Sequence, residues 1–203
     1  REGSRAIYIH KATLELLEEI SPGLGKALAD IGIVWQVKRS LYRGEEVYKR
    51  VYEPPKPNTI PAFSSLHQHE IEKAMFKACQ EAGVEFVWEE PVTNVVTSEE
   101  GVTVETENGT WDAKYVIACD GARSVVRNSV GIKFEGPRQS DTFVVVDVAE
   151  DEENPMPIER IFHYQHPEAG GRNVMHVPFA GGWRIDLQLF EGDDKEYYGS
   201  EEG

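Results

Sequence analysis

The stretch from Tyr115 to Arg127, reading Tyr115-Val-Ile-Ala-Cys-Asp-Gly-Ala-Arg-Ser-Val-Val-Arg127, constrains this chain more than any other. Tyr115 to Cys119 is a short, nearly all-apolar run, which predicts a strand buried on both faces. It stops at Asp120-Gly121. Ser124 then suits the N-cap of a short helix through Val125, Val126 and Val130, with Gly131 placed to end it. Asp120 and Gly121 would sit at the carboxyl end of a buried strand, facing a helix N-terminus. In open α/β sheets that crevice binds ligands, and the helix end favours an anion such as phosphate. Arg123 and Arg127 add positive charge to the corner. A joint in which Asp120 only makes a turn fits the same pattern, and the pattern leaves both readings open.

The chain leading into this stretch reads as helices, then a hairpin, a helix and a meander. Residues 5 to 9 are briefly apolar. Ala12, Leu16 and Ile20 mark a helix stopped by Pro22-Gly23. Leu24, Ala27, Leu28 and Ile31 mark a second, closed by Gly32. Trp35–Tyr42 and Glu46–Tyr52 predict a hairpin turning at Arg43-Gly44, followed by an extended connector carrying Pro54, Pro55, Pro57 and Pro61. Ile71, Ala74, Met75, Ala78 and Ala82 line one face of a third helix, whose start carries a capping-box spacing, Ser65-x-x-Gln68. Val84–Trp88 reads as a strand. Val92–Thr97, Val102–Thr106 and Thr110–Ala113 then alternate as strands, with turns at Glu100-Gly101 and Asn108-Gly109.

After Gly136-Pro137 no helix interrupts four more strand patterns, Thr142–Val148, Ile158–Tyr164, Asn173–Phe179 and Trp183–Phe190, which predicts one antiparallel sheet. A Gly-Gly turn lies within Val177–Arg184. The acidic last dozen residues read as frayed.

Among 203 residues, 40% are hydrophobic, enough for a real core. The net charge of −15 argues against nucleic acid or an anionic membrane as partner. Two cysteines, Cys79 and Cys119, make no disulfide framework; both read as small core residues in a reducing, cytoplasmic setting. No run is apolar and long enough to span a bilayer. His67 and His69, two apart on a helix, would point away from each other, and His163, His166 and His176 show no ligand spacing, so no metal site is expected. No nucleophile motif appears. The chain opens on Arg1-Glu-Gly-Ser without an initiator Met, which reads as a piece of a longer protein.

The run Ala118-Cys119-Asp120-Gly121-Ala122-Arg123-Ser124-Val125-Val126-Arg127, followed by Gly131-Ile132-Lys133-Phe134-Glu135-Gly136, resembles the Asp-Gly motif of the single-component flavoprotein aromatic hydroxylases. That family includes the para-hydroxybenzoate and hydroxyphenylpropionate hydroxylases. The resemblance implies an α/β fold, with a partial Rossmann-like FAD-binding domain (1–34 and 66–135) and an antiparallel β-sheet substrate domain (35–65 and 136–203). It implies that Asp120, Gly121, Arg123, Ser124 and Arg127 lie beside the FAD pyrophosphate and serve both FAD and NAD(P)H. Arg5, within a stretch similar to the one after the family's second Rossmann strand, would lie near the cofactor. Gln68 would reach the ribityl or pyrophosphate region, against its alternative role in the capping box. Val92 would begin the strand whose backbone meets the adenine. Trp183 or Arg184 could line the substrate pocket, with packing the likelier role for Trp183, and no residue stands out as catalytic.

The implied chemistry is reduction of FAD by NAD(P)H, capture of dioxygen as a flavin hydroperoxide, and transfer of one oxygen atom to a phenol-like ring. The family's Gly-x-Gly-x-x-Gly fingerprint would precede Arg1 and its Gly-Asp motif would follow Gly203, so the 203-residue piece alone is expected to be inactive. A flavin-dependent reductase or oxidase of the same superfold, and a non-catalytic binding module, are the alternatives.

Overall fold

The computed structural model describes residues 6–137 and 142–203. Along the chain run β1 (Ile9–His10), α1 (Lys11–Ile20), α2 (Leu24–Ile31), β2 (Val37–Tyr42), β3 (Glu45–Val51), β4 (Phe63–Ser64) and α3 (Gln68–Glu81). Then come β5 (Val92–Thr97), β6 (Val102–Thr106), β7 (Thr110–Ala113), α4 (Val125–Ser129), β8 (Thr142–Ala149), β9 (Glu159–His166), β10 (Arg172–Phe179), β11 (Gly182–Leu189) and α5 (Lys195–Tyr198). The contacts divide the chain into two units, one of residues 1–83 with 140–203 and one of residues 84–139.

The larger unit is built on a six-stranded sheet ordered β3-β2-β9-β10-β11-β8. Every neighbouring pair is antiparallel except β2 and β9, which run parallel. The four late strands thus form the expected antiparallel run, and the β2–β3 hairpin joins its free edge.

Beside this sheet, α1, α2 and α3 bury Leu14, Leu28 and Leu66 together with Ile9. Their amphipathic spacing is the reason: one apolar stripe per helix has to be covered. Ser64 Oγ donates to the Leu28 carbonyl at 3.2 Å, adding a side-chain bond to the Gly32 N–H that the same carbonyl accepts at the end of α2. Gly32 lies so close to Ser64 and Ser65 that a Cβ there would run into the Ser64 hydroxyl.

The start of α3 departs from the capping-box reading. The helix begins at Gln68, with His67 as the preceding residue and no side-chain cap. Ser65 pairs instead with Ile33 as a short bridge, and its buried hydroxyl donates to the carbonyls of Ile7 at 2.9 Å and Pro178 at 2.7 Å. Ser65 is sealed from solvent, where an unpaired hydroxyl would cost more than one exposed helix N–H left to water.

The smaller unit holds the three-stranded meander β5-β6-β7, with α4 packed on β5. Two expected strands are missing from it. Tyr115–Cys119 and Val84–Trp88 take no strand conformation, and Tyr115 and Ile117 are 87% and 88% exposed. A continuous apolar run needs a neighbour on each edge and cover on each face, and the described residues bring it neither. For the same reason Cys119 is exposed rather than in a core.

The acidic tail also differs from expectation. Arg172 donates to Asp193 at 2.8 Å and lies over the rings of Phe190 and Tyr198, and Asp194 caps α5. One arginine therefore ties down the segment that composition alone reads as frayed.

Candidate functional site

Two places gather functional side chains, one in each unit. In the larger unit a cavity of about 480 Å³ opens on one face of the six-stranded sheet, within the usual range for small-molecule sites. The period of two along each strand decides which side chains reach it. Lys38, Val145, Arg160, Met175, Val177, Arg184 and Asp186 face it, while Trp183, His163 and His176 fall on the opposite face.

Its other wall is aromatic. Tyr8 stacks on Phe63 at 4.7 Å, and Trp35 packs against Phe63 at 4.4 Å and Tyr52 at 6.0 Å. Trp35 is 4% exposed, yet its indole Nε1–H meets no acceptor among the described residues. Asp186 Oδ1 is likewise buried without a donor. Burial pushes the Asp186 carboxyl above its ordinary pKa, with Arg184 and Arg160 opposing that rise. Buried polar groups without partners are rare and call for an explanation; here an unused donor and an unused acceptor belong to residues lining the same cavity.

Arg184 is buried and held by Asp147, its cross-strand partner, through Nε and Nη2, each at 2.7 Å. His67 Nδ1 stands 3.6 Å from the same carboxylate, and burial lowers the pKa of its ring. Arg184 thus lines the cavity, whereas Trp183 packs behind the sheet with its Nε1–H donating to Glu150 at 2.6 Å.

Gln68, two residues into this region from Leu66, accepts the Ala6 N–H at 3.2 Å and donates to Glu72 at 2.6 Å. It ties the N-terminal strand to α3. Arg5 lies outside the described residues.

In the smaller unit the Asp-Gly segment forms one compact turn. Asp120 Oδ2 accepts the Val126 N–H at 3.1 Å, and bonds from the Ser124 hydroxyl and that amide hold its carboxyl below the ordinary pKa. Ser124 caps α4 as expected, accepting the Arg127 N–H at 2.9 Å. Arg127 turns back on the loop, donating to the carbonyls of Ala122 at 2.9 Å and Gly121 at 3.4 Å, and lies over the Phe134 ring.

Ser124 and Arg127 are therefore occupied inside the turn. Arg123 and the Cα side of Gly121 are not. Gly121 has φ 78°, and nothing stands within 4 Å of where a Cβ would project; Arg123 is exposed with no carboxylate partner among the described residues. Bare backbone in the left-handed region beside a free cation fits the approach of a phosphate-bearing group. Val92 opens β5, the edge strand of its sheet, so one row of backbone groups there is open to a ligand.

The histidines also differ from the helical expectation. Because His67 precedes α3 rather than lying in it, its ring sits 4.9 Å from that of His69. The β9–β10 register brings His163 to 5.2 Å from His176, and His166, at the end of β9 itself, stands 4.6 Å from His163.

Residues 1–196 match the model of the FAD binding domain family. A stretch of 72 residues is 36% identical to 3-(3-hydroxy-phenyl)propionate/3-hydroxycinnamic acid hydroxylase of Mycolicibacterium smegmatis, covering 34% of this chain and 13% of that one. The chain belongs to the flavoprotein aromatic hydroxylase family.

Other similar proteins share more of its length. Dialkyldecalin synthase of Streptomyces rugosporus is 28% identical over 141 residues, covering 67% of this chain and 28% of the synthase. The crystal structure of p-nitrophenol 4-monooxygenase from Pseudomonas putida superposes with a TM-score of 0.77 at 21% identity, over 98% of this chain and 51% of that one. The flavin-dependent monooxygenase PieE, solved with FAD and substrate, gives 0.76 at 19% identity, over 99% and 39%. The chain thus spans a small part of these curated relatives and about half of the nitrophenol enzyme.

For this family member the sequence pointed to the Asp120 turn but passed over Tyr8, Trp35, Lys38, Tyr52, Arg160 and Asp186. The alternation within β2, β9 and β11 puts Lys38, Arg160 and Asp186 each on one face of its own strand. Which strands lie side by side is set by register, and no local pattern carries that.

Proposed function

We propose that this chain is part of a flavin-dependent monooxygenase that hydroxylates a phenol-like aromatic compound, using NAD(P)H and dioxygen. The observation that carries this is the aromatic-walled cavity lined by Trp35 and Asp186, whose buried Nε1–H and Oδ1 both lack partners among the described residues. A hydroxylated ring supplies what is missing: a flat apolar body for the Tyr8–Trp35–Tyr52 wall, an oxygen to accept from the indole, and an O–H to donate to the carboxylate. Asp186, set in surroundings that raise its pKa, is suited to hold or take the proton of that O–H. Arg184, locked by Asp147, keeps the floor rigid beneath it.

In this reading FAD is held at the Asp120 turn, with Gly121 allowing close backbone approach, Arg123 meeting phosphate and the β5 edge at Val92 meeting the adenine. Bound FAD supplies the redox chemistry, taking electrons from NAD(P)H and activating dioxygen. The protein's part is to bind, orient and exclude water. Residues 1–34 and 66–135 would serve the cofactor and residues 35–65 and 136–203 the substrate, in a cytoplasmic enzyme.

The dialkyldecalin synthase likeness favours one rival, a family member that binds flavin without oxygenating a ring. Turnover of the full-length enzyme with FAD, NADPH or NADH, and a panel of phenols under ¹⁸O₂ separates the two. The expected result is one labelled oxygen in the ring product; NAD(P)H oxidation with no label in any product overturns hydroxylation.

A further inference from the structure

We propose that the β3 edge of the six-stranded sheet docks a second copy of this chain, which adds its own β3 antiparallel across a two-fold axis. β3 is the last strand on its side of the sheet. All seven of its residues are exposed, with Val47, Tyr48 and Val51 at 61%, 45% and 65%. One row of its backbone N–H and C=O groups is therefore free to pair with another strand. Of its charged side chains, only Glu46 forms an ion pair among the described residues, with Arg39 at 2.6 Å, while Arg50 lies over the Tyr52 ring.

Charge on an edge strand ordinarily keeps other strands away. On β3 it is sorted instead. From Glu45 to Arg50 the strand reads acid, acid, apolar, apolar, base, base. An identical strand running antiparallel presents that order in reverse. Glu45 then stands opposite the partner's Arg50, Glu46 opposite the partner's Lys49, and Val47 opposite the partner's Tyr48. The two-fold axis repeats each of these contacts, and opposite charges facing each other across strands are stabilising.

A bulge makes this register possible. Residues directly opposite each other share a face of the sheet, and a two-fold axis perpendicular to the sheet keeps each face on its own side. In a regular strand the odd spacing between Glu45 and Arg50 would put them on different faces. β3 is not regular: Tyr48 pairs with Ser40 and Glu46 pairs with Leu41, which leaves Val47 as an extra residue. Glu45, Tyr48 and Arg50, opposite Tyr42, Ser40 and Lys38, consequently share one face. Glu46 and Lys49, opposite Leu41 and Arg39, share the other. Each acid thus lies on the same face as the base it would meet. A slip of one residue in either direction sets both acids against residues of the wrong face, so a single register is specified.

Sedimentation velocity of the full-length enzyme over a range of concentrations, at low and high salt, tests this. The expected result is a concentration-dependent dimer that weakens as salt rises. Because each contact occurs twice, Glu45→Lys and Arg50→Glu should each weaken the dimer about tenfold or more by setting like charges opposite each other. An equimolar mixture of the two variants should restore it, and so should both substitutions in one chain, since either arrangement brings opposite charges back together. Lys73→Glu, a charge reversal on α3, should leave it unchanged. A cooperative melt of each variant separates lost docking from lost folding. A monomer at every concentration overturns the proposal, whether β3 stays bare or another part of the longer chain covers it. A dimer that neither reversal weakens also overturns it, because the copies would then meet elsewhere. So does a dimer lost on both reversals and restored by neither the mixture nor the double variant.

Discussion

Leu28 and Ile117 are both aliphatic residues in apolar segments, yet the first is fully buried and the second is 88% exposed. The contrast extends to their whole units. Around the six-stranded sheet and its helices, Leu14, Leu28, Leu66, Ser64 and Ser65 are all but sealed from solvent. Among the described residues of the three-stranded unit only Val95 and Ser124 are buried, while Tyr115, Ile117 and Phe134 stand bare. The larger unit holds within itself both the core and the cavity that gives it a chemistry. The smaller one holds a finished turn at Asp120 on a segment whose apolar side chains no described residue covers.

The largest effect that would sharpen this difference is Leu28→Ala, which should cost about 2–5 kcal/mol because it empties a sealed site. Ile117→Ala should move stability by no more than about 0.5 kcal/mol, as an exposed substitution does. Urea denaturation of the two variants checks both, and equal losses would show that the units share one core.

Within the larger unit, Arg184→Met should cost about 3 kcal/mol. It leaves Asp147 without its bidentate partner, and partial exposure of that carboxylate keeps the loss toward the low end for a broken buried pair. Chemical denaturation reads this directly, and a neutral result would mean that His67 alone suffices to hold Asp147.

Acid should separate the units by pH. Burial, with His166 and His176 beside it, depresses the His163 pKa from 6.5 to about 4. The unfolded chain therefore takes up a proton near pH 6.5 that the folded sheet refuses until about 4, and stability falls as pH drops through that window. Asp120 is also depressed, but from 3.8, so its contribution is present above that value and is lost only as pH falls through its still lower folded pKa. Amide exchange followed by NMR should show β9 and β10 loosening first, with the Val126 amide protected to lower pH. His163→Asn should remove the early loss. Simultaneous loosening of both regions would erase the distinction.

What the sequence made legible follows the same divide. The Pro22-Gly23 stop, the Arg43-Gly44 and Asn108-Gly109 turns, the meander and the Ser124 cap all depend on neighbours a few residues away, and local rules suffice for them. Tyr115–Cys119 and Val84–Trp88 failed as strands because an apolar run records a need for cover without saying what supplies it. Ser65 left its capping box because its sealed hydroxyl finds acceptors at Ile7 and Pro178, both distant in sequence. The cavity escaped notice for a related reason: Lys38 and Arg160 become neighbours only through the parallel β2–β9 register.

The central claim is that the Asp120 turn serves a flavin and the nicotinamide that reduces it. Asp120→Ala in the full-length enzyme tests this most directly, by stopped-flow reduction with NAD(P)H under anaerobic conditions. The mutant should melt cooperatively and hold FAD, yet be reduced markedly more slowly than wild type at saturating NAD(P)H. A wild-type reduction rate in a mutant with its full complement of FAD would contradict the claim and leave Asp120 as a turn residue that accepts the Val126 N–H.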